Sequence, residues 1–427
     1  MTDGPGSHPP KAPPLGQASW CLYDWANSAF PTVITTFVFS AYFTKAIAVD
    51  EITGTSQWGI AISLSGLAVA VLSPFLGAVA DHGGRRKPWI FAFTALCILS
   101  SALLWLARPE ASFVILALTL AALANFAFEM GMVFYNAMLP DLVPENRIGR
   151  LSGWGWGLGY AGGLVCLGVT LLALVQAETP VFGLDKEQAE HLRATGPLVA
   201  AWFAVFAVPF FLWTPDRPSR GLAFRAAFRR GWTTLIDTLR RVRDYRHIVR
   251  YLLAHMMYAE GLNTLFAFGG IYAAGTFGMD FDELIMFGIA MNLTAGLGAA
   301  VFAWVDDWIG PKRTIRIAVA SLGVLGLALV LVEGKALFWA FALPLGIFVG
   351  PAQAASRSLM ARLAPAEIRT EMFGLYALSG KATAFLGPAM LAWVTVAFQS
   401  QRAGMATILV FFVIGLALLA GVPDRRR

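Results

Sequence analysis

The sequence predicts an all-α polytopic membrane protein of twelve transmembrane helices, built as two six-helix pseudo-repeats. Composition is the first reason. Of 427 residues, 57% are hydrophobic and only 14% charged, with a mean hydropathy of +0.65. That is too little charge to cover a soluble surface, so the solvent is mostly lipid. The second reason is run length: crossing about 30 Å of hydrocarbon takes about 20 apolar residues, and runs of that size recur about twelve times. They lack the alternation and turn spacing of a membrane barrel. The third reason is a duplicated turn. The stretch Gly77–Lys87, GAVADHGGRRK, joins two apolar runs and has an echo at Ala303–Arg313, AWVDDWIGPKR. Asp307, Gly310 and Arg313 keep the spacing of Asp81, Gly84 and Lys87. Pro144 and Gly153, after the fourth run, are matched by Pro365 and Gly374 after the tenth, so the whole six-helix unit is repeated.

Residues 1–17 carry five prolines and several glycines and read as an unstructured tail. No cleavable signal peptide is expected, because the first apolar run lacks a basic flank and a small-residue cleavage site. The N-terminal bundle, 18–214, holds helix 1 (19–47), helix 2 (57–80), helix 3 (88–107), helix 4 (111–139), helix 5 (151–176) and helix 6 (197–213). Two prolines and a charge cluster, LPDLVPENR, end helix 4, and Pro197 suits the start of helix 6. Helix 5 opens GWGWGLGYAGG, whose glycines let neighbouring backbones approach closely. An acidic loop, 178–190, precedes helix 6.

Residues 215–246 are the longest polar interruption and mark the boundary between halves. Phe228, Trp232, Leu235, Ile236, Leu239 and Val242 recur at helical spacing among Arg229, Arg230, Arg240, Arg241 and Arg243. That pattern fits a basic amphipathic helix on the membrane surface, and equally a solvated linker helix. The C-terminal bundle, 247–427, holds helix 7 (248–274), helix 8 (284–304), helix 9 (315–332), helix 10 (337–361), helix 11 (372–398) and helix 12 (403–422).

The net charge of +6 follows topology rather than an affinity for nucleic acid. Of the 32 lysines and arginines, six fall on one side, Lys45, Arg108, Lys186, Arg193, Lys335 and Arg402, and two, Arg357 and Lys381, lie inside apolar runs. The rest sit in the tails and the loops of the other side, which the positive-inside rule makes cytoplasmic, with both termini. Cys21, Cys97 and Cys166 lie singly inside apolar runs, neither a disulfide framework nor a metal site. Nucleophile–base pairs, metal clusters and phosphate-cradling loops are missing from the sequence, so an enzyme is not expected and no cofactor is implied.

The Gly77–Lys87 pattern resembles the loop between helices 2 and 3 of the major facilitator superfamily, and the resemblance covers essentially the whole chain. Within it, YDWANSAF in helix 1 and SGWGWGLGYAGG in helix 5 are similar to the branch of vacuolar amino-acid effluxers and their bacterial relatives. The resemblance implies two halves that rock around a central site. It also implies a gate made by Gly77, Asp81, Gly84, Arg85, Arg86 and Lys87. Asp81 would accept from the backbone at the start of helix 11, and Arg85 or Arg86 would pair with Asp141. The second half departs from this pattern, since Arg362 stands where a partner of Asp141 type is expected. Asp307 and Arg313 are the remaining gate candidates there. The Gly-Pro of a helix-5 antiporter motif is replaced by Leu158 and Gly159, so antiport is not implied by that motif.

Five ionisable groups lie deep in apolar runs: Asp24, Glu129, Glu260, Arg357 and Lys381. Each costs roughly 2.5–3.5 kcal/mol to insert, so they persist only when paired or facing a wet cavity. Four of them fall on helices 1, 4, 7 and 10, which in this superfamily line the central cavity. Helical spacing adds Asn27 beside Asp24, Asn136 beside Glu129, Asn263 beside Glu260 and Gln353 beside Arg357, with Tyr160 in helix 5. Pro31 is expected to kink helix 1. For each charge a structural pairing role stands beside the transport role.

The expected function is secondary active transport of a small polar solute by alternating access. An amino acid or similar zwitterion fits best, its ammonium drawn to a carboxylate and its carboxylate to Arg357 or Lys381. A buried carboxylate can carry a coupling proton. Export comes from the resemblance alone. Two alternatives stand: a carrier of drugs, sugars or organic acids on the same fold, and a non-transporting membrane scaffold or sensor. The expected partners are the solute, protons and the lipid bilayer, with no nucleic acid, and the chain is expected to be a monomer in a bacterial inner membrane.

Overall fold

The computed structural model describes residues 11–177, 181–221, 224–240 and 244–423. Residues 1–10, Arg241, Val242, Arg243 and the tail Arg425–Arg427 lie outside them. Among the described residues every regular element is a helix.

The N-terminal half comprises helix 1 (Pro14–Ile47), helix 2 (Glu51–Gly83), helix 3 (Lys87–Leu106), helix 4 (Ala111–Leu142), helix 5 (Glu145–Val175) and helix 6 (Glu190–Trp213). The C-terminal half comprises helix 7 (Arg246–Phe277), helix 8 (Phe281–Ile309), helix 9 (Pro311–Leu331), helix 10 (Lys335–Leu363), helix 11 and helix 12 (Gln401–Ala420). Eleven of the twelve are long and apolar enough to cross a membrane by length and composition. The twelfth is helix 7, whose His255, Glu260 and Asn263 dilute its hydrophobic run.

Three expectations are corrected. The unstructured tail does not extend to residue 17: helix 1 starts at Pro14, and Ala12 is buried and donates its N–H to the Leu142 carbonyl at 3.0 Å. Proline at the first helical position needs no hydrogen-bond partner, so the proline-rich stretch is a helix start. Helix 2 begins at Glu51, not residue 57, because Asp50 caps it, accepting from the Thr53 N–H at 2.8 Å. Helix 11 is two segments, Arg369–Lys381 and Leu386–Phe398, joined by a turn at 382–385. Pro388 has no N–H, and its ring would strike the carbonyl of Ala384 in a continuous helix. Pro31 acts comparably in helix 1, where wide π turns run from Phe30 to Phe37.

Within the halves, helix 1 packs on helices 5 and 6, and helix 7 on helix 12, while helices 8 and 9 flank helix 10. The halves meet along two seams. Helix 5 lies against helices 8 and 10, and helix 2 lies against the first segment of helix 11. The second segment of helix 11 turns away to pack on helices 7 and 12. The first and last described residues lie at one end of the bundle: Lys11 donates to the Pro140 carbonyl at 3.2 Å, and Pro423 borders the same surface as Asp141. This is the basic end. The helix at Phe224–Arg240 lies there too, packed across helix 2 rather than standing free as a solvated linker.

Gly77 sets the approach of helices 2 and 11. A Cβ there would lie 2.5 Å from the Thr370 oxygen and 2.9 Å from the Glu371 Cα, and a backbone cannot yield as a side chain can. Gly77→Val should therefore cost about 1–3 kcal/mol of overpacking strain. Gly168→Val, where a Cβ would meet nothing within 4 Å, is the control. Thermal unfolding of both variants in one detergent checks this, and equal melting temperatures would refute the close-approach argument.

Candidate functional site

The contacts between the halves form three tiers, rising from the basic end into the bundle. The first tier is built on helix termini. Asp81, the last buried residue of helix 2, accepts from the backbone N–H groups of Thr370 (2.7 Å) and Glu371 (3.0 Å) and from the Thr370 hydroxyl (2.6 Å). These are orphan donors at the positive end of the first segment of helix 11, the place where a carboxylate is most stabilised. Gly84 turns the chain with φ of +87°, a conformation that favours glycine. Arg85 points to solvent, while Arg86 is buried and reaches Asp141 at 2.7 Å and the Thr370 hydroxyl at 2.8 Å. Asp141 is shared by three guanidiniums, the others being Arg217 at 2.8 Å and Arg369 at 2.7 Å. Lys87 donates to the carbonyls of Phe211 and Thr214, the last turn of helix 6.

The second half carries the same devices with one inversion. Asp307 accepts from the N–H groups of Gly149 (2.9 Å) and Arg150 (3.2 Å), capping helix 5 as Asp81 caps helix 11. Lys312 donates to the carbonyls of Ala420 and Val422 at the end of helix 12, the role Lys87 plays in the first half. Arg313, the spacing match to Lys87, lies in the first turn of helix 9, half-buried. Arg362, at the end of helix 10, pairs with Asp306 and Asp307 at 3.5 Å. The helix-10 cation thus meets helix-8 carboxylates, where the first half has a helix-4 carboxylate meeting a loop cation.

The second tier is Arg357, about 9 Å inside the end of helix 10 at 1.5 Å per residue. It is buried and all its donor nitrogens are used. Nη1 reaches Asp24 at 3.0 Å and Asn136 at 3.2 Å, Nε donates to the Ser152 hydroxyl at 2.9 Å, and Nη2 donates to the Ser152 carbonyl at 2.6 Å. The guanidinium lies over Trp20 at 4.9 Å, with Tyr135 and Trp156 at 5.8 and 5.7 Å. Trp20 and Tyr135 stack at 4.4 Å, and the tyrosine hydroxyl donates to the Trp20 carbonyl. The glycines of helix 5 explain how this fits. A Cβ at Gly155 would lie 2.5 Å from Asp24 Oδ2 and 2.8 Å from Arg357 Nη2, so the pair occupies the volume that a side chain would take.

The third tier lies about 18 Å in, where the first segment of helix 11 ends. Lys381 Nζ meets Glu129 Oε1 at 2.7 Å, joining helices 11 and 4 across the halves, with the two side chains 33% and 23% exposed. On the other seam, the Tyr160 hydroxyl donates to Gln353 Oε1 at 2.6 Å. Asn27 contacts the Met132 sulfur at 3.3 Å. Glu260 belongs to neither seam. It is buried, accepts from the Gly387 N–H at 2.7 Å, and so caps the second segment of helix 11. None of its described partners is a cation. Asn263, one turn further, is exposed.

The structure therefore brings Asp24, Asn136 and Arg357 into one buried cluster, Glu129 and Lys381 into a second pair, and Tyr160 and Gln353 into a third. It leaves Glu260 and Asn263 apart. A cavity of about 450 Å³ beside Tyr160 is lined mostly by apolar groups, among them Phe266, Phe287 and Phe412, with Ser28, Thr32 and Asn292. The charged candidates do not line it. Ser152, Trp20, Arg217, Arg369 and Thr370 hold the tiers together but are not apparent from charge placement. Only the GWGWG glycines hinted at the crowding around Arg357.

Comparison with known proteins agrees with this architecture. The family described as vacuole effluxer Atg22 like matches residues 42–427. An uncharacterised MFS-type transporter, YxiO, of Bacillus subtilis is 29% identical, over 95% of this chain and 94% of that one. Autophagy-related protein 22 of Coccidioides immitis is 24% identical, over 86% and 72%. Among solved structures, the major facilitator transporter FucP in its outward conformation superposes with a TM-score of 0.73 at 13% identity, covering 96% and 98% of the two chains. The proton:xylose symporter XylE superposes at 0.70, again at 13% identity, covering 96% of each. At these identities the structural likeness speaks for the fold. The chain is an integral membrane transporter, not an enzyme, and it belongs to the vacuole effluxer Atg22-like family of the major facilitator superfamily.

Proposed function

We propose that the chain exports an amino acid or similar zwitterion by alternating access, as a monomer in a bacterial inner membrane and coupled to protons. The carrying observation is the Glu129–Lys381 pair. Among the described residues it is the one intramembrane ion pair with both partners partly exposed, it spans the halves, and it sits above two closed tiers. A zwitterion can insert between the two groups, its carboxylate on the ammonium and its ammonium on the carboxylate, with no net charge left unpaired. Arg357 and Asp24 are committed to each other and act as a lock between halves. With the basic end taken as cytoplasmic by the positive-inside rule, the lock is closed on the cytoplasmic side, the closure that an outward-facing state requires. Glu260, a buried carboxylate with no cation among its described partners, is the proton-carrying candidate.

The apolar cavity beside Tyr160 favours a second reading, a carrier of larger organic solutes. Counterflow in proteoliposomes separates the two. Labelled amino acids should accumulate saturably, and Glu129→Gln and Lys381→Met should each weaken apparent affinity about 10- to 100-fold, the loss of one charge-assisted bond of roughly 1.5–3 kcal/mol. Uptake of drugs or organic acids alone, indifferent to both substitutions, would reject the zwitterion.

The Asp141 cluster of the first tier makes its own prediction. Ser73 is buried between helices 2 and 11, its hydroxyl donating to the Gly374 carbonyl at 3.1 Å, and the native cysteines are all buried. A Ser73→Cys reporter should react with a permeant maleimide about tenfold faster when combined with Asp141→Asn, since three arginines lose their shared carboxylate and the population shifts by about 1.4 kcal/mol. Unchanged reactivity would show that this cluster does not hold the basic end shut.

A further inference from the structure

The helix between the two halves, Phe224–Arg240, presents three distinct faces. Small residues dock it: Ala227, Gly231 and Thr238 are buried, and a Cβ on Gly231 would lie 2.8 Å from the Val79 nitrogen of helix 2. Thr234 fixes the crossing through a 2.8 Å hydrogen bond to His82. Beside this face runs an apolar stripe. Phe228 and Trp232 put their edges against Phe75, with centroids at 4.9 and 5.7 Å, yet stay 47% and 55% exposed. The third face is polar, with Arg229, Arg230 and Arg240 exposed and Asp237 the helix's one acid.

The surroundings identify what the stripe meets. Phe75 belongs to a membrane span, and just before it Val71 and Leu72 are exposed at 64% and 38%. The aromatic stripe is thus continuous with a lipid-facing surface. A helix with its stripe at the acyl boundary holds the opposite face at headgroup level. Guanidiniums at that level attract negative charge, within a Debye length of the surface.

We propose that this helix is a bilayer-docked arm that selects anionic phospholipid headgroups in the leaflet at the basic end. Phe228 and Trp232 enter the acyl boundary, and Arg229 and Arg230 take the phosphates. The inference is independent of the transported solute.

The test uses the full chain in vesicles of phosphatidylcholine and phosphatidylglycerol at one fixed ratio, with bromine on the acyl chains of one lipid or the other. The signal is the fluorescence difference between wild type and Trp232→Phe, a change that keeps a ring against Phe75. Bromine on either lipid should quench Trp232, and brominated phosphatidylglycerol should quench at least about twofold more per molecule. High salt and the exposed double variant Arg229→Gln/Arg230→Gln should both erase that excess. No quenching by either lipid would place Trp232 in water and overturn the proposal. Equal quenching by both lipids, unmoved by salt or the double variant, would overturn the headgroup selection.

Discussion

A guanidinium enclosed within a membrane bundle imposes its needs on everything near it. Arg357 is buried, and breaking one member of such a pair leaves a charge whose cost is about 3–5 kcal/mol. Its acceptors come from helix 1 (Asp24), helix 4 (Asn136) and helix 5 (Ser152), so one side chain of the C-terminal half fixes three helices of the other. Room for the pair exists because Gly155 has no side chain, and the aromatic rings of Trp20, Tyr135 and Trp156 close the remaining space. Gly155 of helix 5 and the rings supplied by helices 1, 4 and 5 all serve this one buried cation.

The fold was legible because lipid leaves the backbone one economical answer, the helix, and because duplicated turns mark duplicated units. Helix ends were harder to read. Asp50 caps helix 2 seven residues before its apolar run begins, and Pro388 divides a run long enough to read as one helix. The family resemblance supplied the gate pairings of Arg86 with Asp141 and of Asp81 with the start of helix 11, but the pairings of the intramembrane charges could not be read from sequence. Arg357 is one turn from Gln353 in sequence, yet it bonds to Asp24, 333 positions away, while Gln353 bonds to Tyr160. The pairing of Arg217 and Arg369 with Asp141 has no sequence signal, because a polar segment and a helix start carry arginines for many reasons. Only the folded chain puts both on Asp141.

The two halves repeat a device rather than a sequence. Asp81 and Asp307 each cap the first turn of a helix in the opposite half, and Lys87 and Lys312 each tie down the last turn of their own half. What differs is the sign of the charge ending the fourth helix of each unit, Asp141 against Arg362. The helix-2 seam therefore gathers three arginines around Asp141, and the helix-8 seam gathers Asp306 and Asp307 near Arg362, with Arg150 also 3.5 Å from Asp307.

The turn at 382–385 divides helix 11 between two allegiances. Its first segment is bound to helix 2 of the other half and ends on Lys381, whereas its second segment is capped by Glu260 and packed on helices 7 and 12 of its own half. A hinge so placed uncouples the two ends of the bundle. The outer segment can swing inward over the Glu129–Lys381 level while the inner segment keeps its grip on Asp81. Closing one entrance then need not wait for the other to open, and the chain has a mechanical route through a form sealed on both sides.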